Sequence, residues 1–404
     1  MVLNTRSSEG CRTDTRRPDL RGAVPAQASG GSRQGHDREG GTTVKFSSAR
    51  LTEQVAAVLT AWGLPPDLVG TTAEVMVEAD LAGIDSHGMS MLPTYETLLR
   101  RGGLDVTARP TVAQQGPVTA LIDAGGGFGH PAAVMAMELA LDKAGCMGVG
   151  LVCVRRSHHF GATGYYASLA AQRCMVGLVT TSARTVCVSP TRGAQPRLPT
   201  NPLAFAAPAG RNRPFLLDMS TSTVAINKVK VYDYHGRPLP DGWVLDGSGA
   251  PIRDAQLAMR CIRAGERGGL APLGGTAEMA SHKGYGLGLM VQILSATLAG
   301  AGLAASPAAS GESDGPADIG HFFLAIDPQS FRDKGAFEAD LDEAIDLMHA
   351  TLPIDPELPV LVPGDPEAAS REERRRDGVP VPTALLRQLR GVCERAGAPY
   401  LLHD

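Results

Sequence analysis

The stretch RRSHHFGATGYY, residues 155–166, indicates the fold more directly than any other part of the sequence. An apolar run rich in β-branched residues, Val149 to Val154, precedes it and predicts a short buried strand. Alanine and leucine on one face predict a helix from Tyr165 to Cys174. His158 and His159 therefore lie on a turn between a strand and a helix, a place where α/β proteins often bind ligands.

Histidine chemistry makes this turn a candidate catalytic centre. The unperturbed pKa of an imidazole lies close to neutral pH, so the ring can give or take a proton there. The same residues taken alone are equally consistent with a surface turn that carries two histidines. The rest of the chain has to decide between these interpretations.

The composition is that of an ordinary globular protein with room for two or three domains in 404 residues. The formal net charge is −4, which gives no indication of a nucleic-acid partner. No apolar run is long enough to cross a bilayer, so we expect no membrane association. The 48 glycines and 29 prolines favour many short elements joined by tight turns.

The cysteines and the N-terminal residues indicate where the protein resides. The seven cysteines are scattered without a C-x-x-C pair, which fits a reducing cytoplasm and argues against a disulfide framework or a zinc site. We expect no metal site. Residues 1–43 contain almost no large apolar residues, and we expect them to be disordered. Acidic residues in this segment weaken a mitochondrial-targeting interpretation, and a translation start assigned too early is an alternative.

Helical and strand-like patterns are mixed along the rest of the chain and predict an α/β fold. Helices are expected near residues 48–62, 67–81, 92–101, 131–143, 283–298, 337–352 and 380–397. Strands are expected near residues 118–123, 175–181, 203–207, 215–217 and 321–326. We expect residues 301–320 to form a flexible loop, and the charged run Arg371 to Arg376 to form a solvated helix face.

A glycine-rich turn after the first of these strands resembles a dinucleotide fingerprint. Gly127-x-Gly129-x-x-Ala132 follows a strand and precedes a helix, as in a Rossmann dehydrogenase. The pattern is weak in a chain so rich in glycine, and the next strand does not end in the expected acidic residue. We therefore interpret the turn as a decoy, with a Rossmann dehydrogenase built on Gly127 as the alternative.

Two polar segments are suited to binding an anionic cofactor. The hydroxyl-rich run from Asp218 to Thr223 could bind phosphate or ribose, although such runs also cap helices. Lys283 falls in the first turn of a predicted helix, where the helix dipole disfavours a cation unless an anion is bound there. Lys283 is therefore the best single candidate for a phosphate ligand.

Five motifs together resemble the malate/L-lactate dehydrogenase family of the second type, over the chain from about Val44 to Val381. The resemblance is carried by Asp85-Ser86-His87-Gly88, Ser157-His158-His159-Phe160-Gly161, Thr200-Asn201-Pro202-Leu203-Ala204-Phe205, Leu217-Asp218-Met219-Ser220-Thr221-Ser222 and His282-Lys283-Gly284-Tyr285-Gly286. Each motif is modest alone, but five in the right order are specific.

The resemblance implies an NAD(P)-dependent oxidoreductase of α/β (α+β) class whose cofactor domain is not a Rossmann fold. It implies a mainly antiparallel sheet with helices in residues 117–320. A helix-rich domain would be formed by both chain ends, residues 44–116 and 321–404. The resemblance also implies a homodimer with the active site at the domain interface.

Site residues follow from the same resemblance. His159 matches the acid/base histidine, and His87 matches a histidine that some relatives use as proton donor. Cofactor contacts are implied for Ser182, Asp218, Met219, Ser220, Thr221, Ser222, His282, Lys283, Gly364, Asp365 and Pro366. Substrate contacts are assigned to Ser86, Thr200 and Asn201. Asp218 would orient a histidine or the nicotinamide ribose.

The chain departs from the family pattern at two places. Many members carry an arginine, a plausible partner for the substrate carboxylate, where this chain has Met91. Residues 190–199 also lack the usual Trp-Gly-Gly. Arg155, Arg156 or Arg184 could supply the missing positive charge, and the sequence does not choose among them.

These observations predict a dehydrogenase that moves a hydride between NAD or NADP and a small 2-hydroxy or 2-oxo acid of the malate, lactate or sulfolactate type. One alternative is an NADPH-dependent reductase of a cyclic imine acid such as Δ1-piperideine-2-carboxylate. A non-catalytic homologue that binds nucleotide or only dimerises is the other.

Overall fold

The computed structural model describes residues 43–303 and 318–403. The predicted disorder of residues 1–43 lies outside this range except for Thr43, which begins the first strand. Most of the predicted loop at 301–320 lies outside it as well. The described part of the chain contains both helices and strands throughout its length, and the predicted α/β class is confirmed.

The helices are α1 (Ser48–Ala61), α2 (Pro66–Leu81), α3 (Leu92–Arg100), α4 (Gly129–Met147), α5 (Thr163–Gln172), α6 (Ile226–Tyr234), α7 (Ala255–Ala264), α8 (His282–Gln292), α9 (Ala336–His349), α10 (Asp365–Asp377) and α11 (Thr383–Ala396). The strands are β1 (Thr43–Phe46), β2 (Thr111–Gln115), β3 (Thr119–Asp123), β4 (Val149–Ser157), β5 (Val176–Thr181), β6 (Leu203–Ala207), β7 (Phe215–Met219), β8 (Val244–Leu245), β9 (Gly269–Leu270), β10 (Ile319–Ile326) and β11 (Val379–Pro382).

A seven-stranded sheet of order β2-β3-β4-β10-β5-β6-β7 forms the centre of the fold. Among these described strands, β3 and β4 run parallel and every other neighbouring pair is antiparallel. The prediction of a mainly antiparallel sheet is therefore confirmed. A doubly wound dinucleotide-binding fold has instead a mostly parallel sheet.

The two ends of the described chain meet in one core. Strand β1 pairs antiparallel with β11, and Val44 lies opposite Val381. Phe46, Leu51 and Leu389 are buried in the same hydrophobic cluster. This contact supports the proposed domain built from both ends. The proposed boundary at residue 321 falls within β10, which pairs with β4 and β5 in the central sheet.

The glycine turn at residues 125–129 belongs to a β3-α4-β4 unit, but the protein's own chain fills the space around it. A Cβ atom on Gly129 would lie 2.2 Å from the carbonyl oxygen of His158. A Cβ atom on Gly127 would lie 3.0 Å from the side chain of Ala108. Gly129 is needed for close packing of α4 against the histidine turn, and Gly127 packs against Ala108, which supports the decoy interpretation.

Other local differences from the sequence-based predictions have simple causes. The sequence did not predict β1, β2, β8, β9, β11, α6 or α7, which are short or lie in turn-rich segments. Residues 380–382, expected to begin the last helix, belong instead to β11, and that helix starts at Thr383. Helix α8 ends at Gln292 and continues as a π-helical turn, Ile293–Thr297. The charged run at residues 371–376 is not simply solvated, because the side chain of Arg374 is only 16% exposed. Across residues 43–303 and 318–403, no helix is long and apolar enough to span a bilayer.

Candidate active site

The sheet brings two loops together at one end of β10. Ser157, the last residue of β4, lies opposite Ile319, and Thr181, the last residue of β5, lies opposite His321. The loop with His158 and His159 follows β4, and the loop with Ser182 and Arg184 follows β5. Both loops therefore start at the same end of the neighbouring strands β4, β10 and β5.

His159 and His87 form a stacked pair. Their ring centroids are 5.4 Å apart, and the planes differ by 28°. His87 lies on the turn that follows α2, and its Nδ1 atom is 2.8 Å from the hydroxyl oxygen of Ser86. The structure leaves His87 half-buried against His159.

Tyr95 contacts this histidine pair. It was not singled out from the sequence. Its hydroxyl oxygen lies 2.7 Å from Nδ1 of His159, and the side chain is fully buried on α3. In the sequence it is one more apolar position of an amphipathic helix. Its position two helical turns beyond the Ser86-His87 turn is a signal that could have pointed to the site.

Burial keeps both rings of the pair neutral at pH 7. It lowers the pKa of His159 well below the usual value, and the neighbouring histidines lower it further. Burial also lowers the pKa of His87. A neutral imidazole has a free nitrogen lone pair, so this pair is prepared to accept a proton.

Three further histidines surround the pair. His321 lies between the hydroxyls of Thr181 and Ser157, at 2.7 and 2.9 Å, and its pKa falls to about 3 on burial. Both ring nitrogens of His130, and Nε2 of His158, have no hydrogen-bond partner within the described residues. Buried polar atoms of this kind are uncommon and often mark a place where water or a ligand binds.

The three candidate arginines differ in their partners. Arg155 and Arg156 both contact the carboxylate of Asp123, at 3.3 and 3.4 Å. Arg184 is exposed on the loop after β5, and no ion pair is found for it in the described chain. Burial lowers the pKa of His158 to about 4, and the positive charge of Arg184 adds to this effect. Arg184 therefore lies within electrostatic range of the histidine turn.

Asp218 lies on β7 and accepts a hydrogen bond from the backbone N–H of Gly164, 2.6 Å away in the first turn of α5. Its described hydrogen-bond partner is thus a helix N-terminus and not a histidine. Burial raises the pKa of Asp218 to about 6, and the bond from Gly164 opposes that rise. A helix N-terminus next to a carboxylate that is easily protonated forms a polar surface suited to a ribose.

The hydroxyl run after Asp218 is largely occupied by partners within the protein. Ser220 and Ser222 are joined through their hydroxyls at 3.0 Å, and the hydroxyl of Thr221 donates to the carbonyl oxygen of Thr200 at 3.0 Å. Asn201 is fully buried and donates to the carbonyl oxygen of Gly288 at 2.9 Å. Ser182 is also buried and accepts from the N–H of Gly320 at 3.1 Å.

Helix α8 joins this polar run to the predicted phosphate ligand. The N–H of Gly284 donates to the carbonyl oxygen of Leu273, and the N–H of Leu273 donates to that of Thr221. His282 and Lys283 are exposed at the start of the helix. Lys283 forms no ion pair within the described residues, so its cation is available to an anion at the helix N-terminus.

The turn at Gly364 lies beside β7. The N–H of Leu216 donates to the carbonyl oxygen of Pro363, and Gly364 has a φ of +104°, which favours glycine. Asp365 accepts from the N–H of Val362 at 2.8 Å, and Pro366 follows in the first turn of α10. A groove of about 420 Å³ passes this turn, lined among others by Gly364, Leu216, Tyr165 and Arg213.

The residues present fit a dinucleotide. The Gly364 turn lies beside β7, Asp218 lies on that strand, and the run to Ser222 follows it. Backbone hydrogen bonds through Leu273 connect this run to the start of α8, where Lys283 lies. This arrangement offers a groove, a helix N-terminus and an unpaired cation to a long anionic ligand. No group of three or more metal-binding side chains is found within residues 43–303 and 318–403.

Comparison with known proteins agrees with this fold. The family model described as malate/L-lactate dehydrogenase matches residues 46–390. A malate dehydrogenase from Pyrococcus abyssi is 35% identical over 89% of this chain and 96% of its own length. An L-sulfolactate dehydrogenase from Methanothermobacter thermautotrophicus is 34% identical over 86% of this chain and 96% of its own.

The same likeness holds among solved structures. The crystal structure of malate dehydrogenase from Entamoeba histolytica superposes with a TM-score of 0.83 at 30% identity, covering 89% of this chain and 99% of that one. The predicted resemblance is thereby confirmed in sequence and in structure, over nearly the whole length of the relatives. The chain belongs to the malate/L-lactate dehydrogenase family.

Proposed function

We propose that the protein is an NAD(P)-dependent dehydrogenase of small 2-hydroxy acids. The observation that carries the proposal is the stacked pair of His159 and His87, with the hydroxyl of Tyr95 hydrogen-bonded to Nδ1 of His159. Oxidation of a 2-hydroxy acid needs a base for the hydroxyl proton and an acceptor for hydride. A bound nicotinamide supplies the hydride acceptor.

In this mechanism His159 takes the hydroxyl proton at Nε2. A tyrosine hydroxyl can accept a hydrogen bond from Nδ1–H, which leaves the lone pair of Nε2 free for the incoming proton. The imidazolium that forms keeps the same contact with Tyr95 at 2.7 Å. His87 hydrogen-bonds the same substrate oxygen or the carboxylate, and Ser86 holds its ring through Nδ1.

Arg184 is proposed to bind the substrate carboxylate. Within the described chain, Asp123 is already paired with Arg155 and Arg156, whereas Arg184 is left without an ion-pair partner beside the histidine turn. A carboxylate next to Arg184 would replace part of the water around its guanidinium by a charge-assisted contact. Ser86, Thr200 and Asn201 stay candidate substrate contacts. The buried partners of Asn201 make its role one of supporting the loop.

The cofactor is proposed to lie along β7 towards α8. Gly364, Asp365 and Pro366 would border one end, with Asp218 and Met219 in the middle and Lys283 near the phosphates, next to His282. Ser182, Ser220, Thr221 and Ser222 would shape the wall through the backbone and their internal hydrogen bonds. The choice between NAD and NADP is left to the measurement below.

Two further properties belong to this proposal. A homodimer is supported by apolar side chains that are exposed on α8 and its π-helical continuation, among them Leu289 at 40% and Ile293 at 52%. Sedimentation should show a dimer, and a monomer would contradict this part. A cytoplasmic location stays a prediction from the scattered cysteines.

The test is absorbance at the reduced-nicotinamide band with NAD and NADP in turn. The substrates are L-malate, L-lactate, sulfolactate and ureidoglycolate, together with Δ1-piperideine-2-carboxylate in the reducing direction. Turnover of a hydroxy acid supports the proposal, and turnover of the imine alone would support the reductase. Cofactor binding without any turnover would reject this set of substrates, and absence of binding would favour a non-catalytic homologue.

Variants assign the residues. His159→Asn should lower kcat by about a hundredfold or more, the usual contribution of a general base. Arg184→Gln should raise KM for the acid about tenfold or more, because a charge-assisted contact is worth about 1.5–3 kcal/mol. Arg173→Gln is the matched control, because Arg173 pairs with Glu138 on the surface. Equal KM values for the two arginine variants would reject the role of Arg184.

A further inference from the structure

We propose that Arg374 is a positioning residue that holds the catalytic turn carrying Ser86 and His87. This proposal rests on the proposed function, because it assigns His87 to the reaction. It gives a role to the charged run at residues 371–376, which neither the family motifs nor the candidate cofactor residues include.

Arg374 contacts the chain at two points before His87, one at the end of α2 and one within the turn. Its Nη1 atom donates to the backbone carbonyl oxygen of Asp80, at 2.5 Å, where α2 is about to end. The same guanidinium forms a two-pronged ion pair with the carboxylate of Asp85, with Nη2 at 3.2 Å, two residues before His87. We call this set of contacts, Arg374 with Asp80 and Asp85, the Arg374 clamp.

The geometry makes this ion pair stronger than an ordinary surface pair. An exposed salt bridge contributes little, since water screens it and two flexible side chains have to be ordered. Asp85 is indeed 57% exposed, but the Arg374 side chain is 16% exposed and also donates to a backbone carbonyl. A planar guanidinium with both prongs engaged fixes direction as well as distance, which a lysine cannot reproduce.

Neighbouring contacts hold the helix that carries the clamp. On the same face of α10, Arg375 pairs with Glu78 at 3.0 Å, and the hydroxyl of Ser370 donates to the carbonyl oxygen of Leu81 at 3.1 Å. From the other side, the buried carboxyl of Asp80 accepts from the N–H of Met89 at 2.9 Å. The turn from residue 83 to residue 88 is thus held at its start by α10 and at its end by α2.

The opposite end of α10 is attached to the candidate cofactor strand. The helix starts next to Gly364, where Pro363 accepts the N–H of Leu216, two residues before Asp218. A single helix of 13 residues therefore connects the strand proposed to hold the cofactor with the turn that holds His87. We infer that the clamp sets the position of His87 relative to the bound cofactor and to His159.

The experiment compares Arg374→Gln, Arg374→Lys and the control Arg376→Gln in the full chain. Arg376 lies two residues further on α10 and pairs with its own neighbour Asp377, so its loss leaves the His87 turn unaffected. Arg374→Gln should lower kcat about tenfold or more and leave KM for the cofactor within about twofold, because the groove is intact. Arg374→Lys should retain more of kcat than Arg374→Gln does, since lysine keeps the positive charge but cannot form the second hydrogen bond to Asp85.

Hydrogen–deuterium exchange supplies a readout that does not depend on activity. The peptide covering residues 83–91 should exchange faster in Arg374→Gln than in the wild type, and Arg376→Gln should not change it. Asp85→Asn should reproduce both effects, and the double variant should add little to either single one. If Arg374→Gln fails to fold, Asp85→Asn still tests the clamp, because it removes the same ion pair from the other side.

Specific outcomes would overturn the proposal. Equal kcat values for Arg374→Gln and Arg376→Gln would reject the clamp, as would unchanged exchange of residues 83–91. Faster exchange of residues 83–91 in Arg374→Gln, found together with a wild-type protein that is inactive on all substrates, would reject the proposed function but keep the structural clamp. Loss of kcat without faster exchange of the turn would show that Arg374 acts elsewhere.

Discussion

At the scale of single residues, the hydroxyl of Tyr95 decides what His159 can do. A buried imidazole that changes its protonation state needs a partner at the nitrogen away from the substrate, and that partner has to suit both states. A tyrosine hydroxyl can donate or accept, and the 2.7 Å contact places it at Nδ1. Tyr95 is thereby a positioning residue for the proposed base.

Replacing Tyr95 by phenylalanine tests this role. The ring and its packing against Phe128 are kept, and Nδ1 of His159 loses the hydroxyl and keeps only the longer contact with the N–H of Gly161, at 3.4 Å. A hydrogen bond to a group that becomes charged contributes about 1.5–3 kcal/mol, so kcat should fall about ten- to a hundredfold. Steady-state kinetics against pH is the measurement. A kcat equal to that of the wild type at every pH would show that the contact is dispensable.

Asp80 gives a prediction about stability and pH. Burial raises its pKa to about 8, so the folded protein keeps this proton over a range in which the unfolded chain, with a pKa near 3.8, has lost it. The folded state therefore binds more protons, and Asp80 makes stability fall as the pH rises from about 4 to about 8. Its contribution is fully present only below that range.

Asp80→Asn removes the titration but can still accept from the N–H of Met89. Between about pH 4 and about pH 8, the free energy of unfolding of this variant should rise relative to that of the wild type by up to about 1.4 kcal/mol per pH unit. Urea unfolding at pH 5, 6, 7 and 8 measures the difference. A difference that stays constant with pH would mean that Asp80 is ionised in the folded protein.

The residues that sequence could and could not identify differ in a physical way. His159 and His87 were predicted because histidines on turns carry chemistry, and the structure stacks their rings against each other. Tyr95 was not found, because a tyrosine among apolar helix positions looks like any core residue until the fold places His159 beside it. Arg374 was given to a solvated face for the same reason, since its partner Asp85 is 289 residues away.

At the scale of elements, local patterns predicted what local forces determine. The strand before the histidine turn and helices α1, α2 and α3 follow from apolar periodicity, and each was located to within a few residues. The two-residue strands β8 and β9, and the edge strand β2, carry too little pattern to be detected. The place of β10 between β4 and β5 depends on long-range pairing, which periodicity does not encode.

The start of α4 gives a prediction that separates packing from cofactor binding. Gly129 lies so close to the histidine turn that any Cβ would overlap the carbonyl oxygen of His158 at 2.2 Å. Gly129→Val should therefore lower the melting temperature strongly or prevent folding, because backbone has to move. Gly286→Val is a control on exposed helix surface, with no atom within 4 Å of an added Cβ.

Thermal unfolding and cofactor binding together distinguish the two interpretations of this turn. A Gly129→Val protein that is as stable as the wild type but no longer binds NAD or NADP would restore the Rossmann alternative. Loss of stability with binding retained in the remaining folded fraction would support close packing as the reason for glycine.

At the scale of the whole molecule, the chain ends hold each other. Strand β1 begins the described chain and pairs with β11 near its other end, a contact between residues more than 330 positions apart. Ser47 caps α1 directly after β1, so the strand also fixes where the first helix starts. The helices that carry Tyr95 and the His87 turn pack in the core that this strand pair closes.

A shortened chain tests how much that closure contributes. A chain that starts at Ser47 lacks β1 and the buried side chain of Phe46, whereas a chain that starts at Thr42 keeps both. Burial of a phenylalanine is worth about 1.5–3 kcal/mol, so the shorter chain should lose at least that much unfolding free energy. Because Val381 and Val379 would lose their strand partner, α11 should also become less protected.

Chemical denaturation gives the difference in stability between the two chains. Hydrogen–deuterium exchange of residues 379–396 shows whether β11 and α11 lose protection in the shorter one. Faster exchange there, on the far side of the sequence from the deletion, would show that the two ends form one cooperative unit. Equal stability of the two chains would mean that the helices close the core without β1. In that case the proposed domain built from both ends would rest on α1 and α11 alone, which contact each other directly.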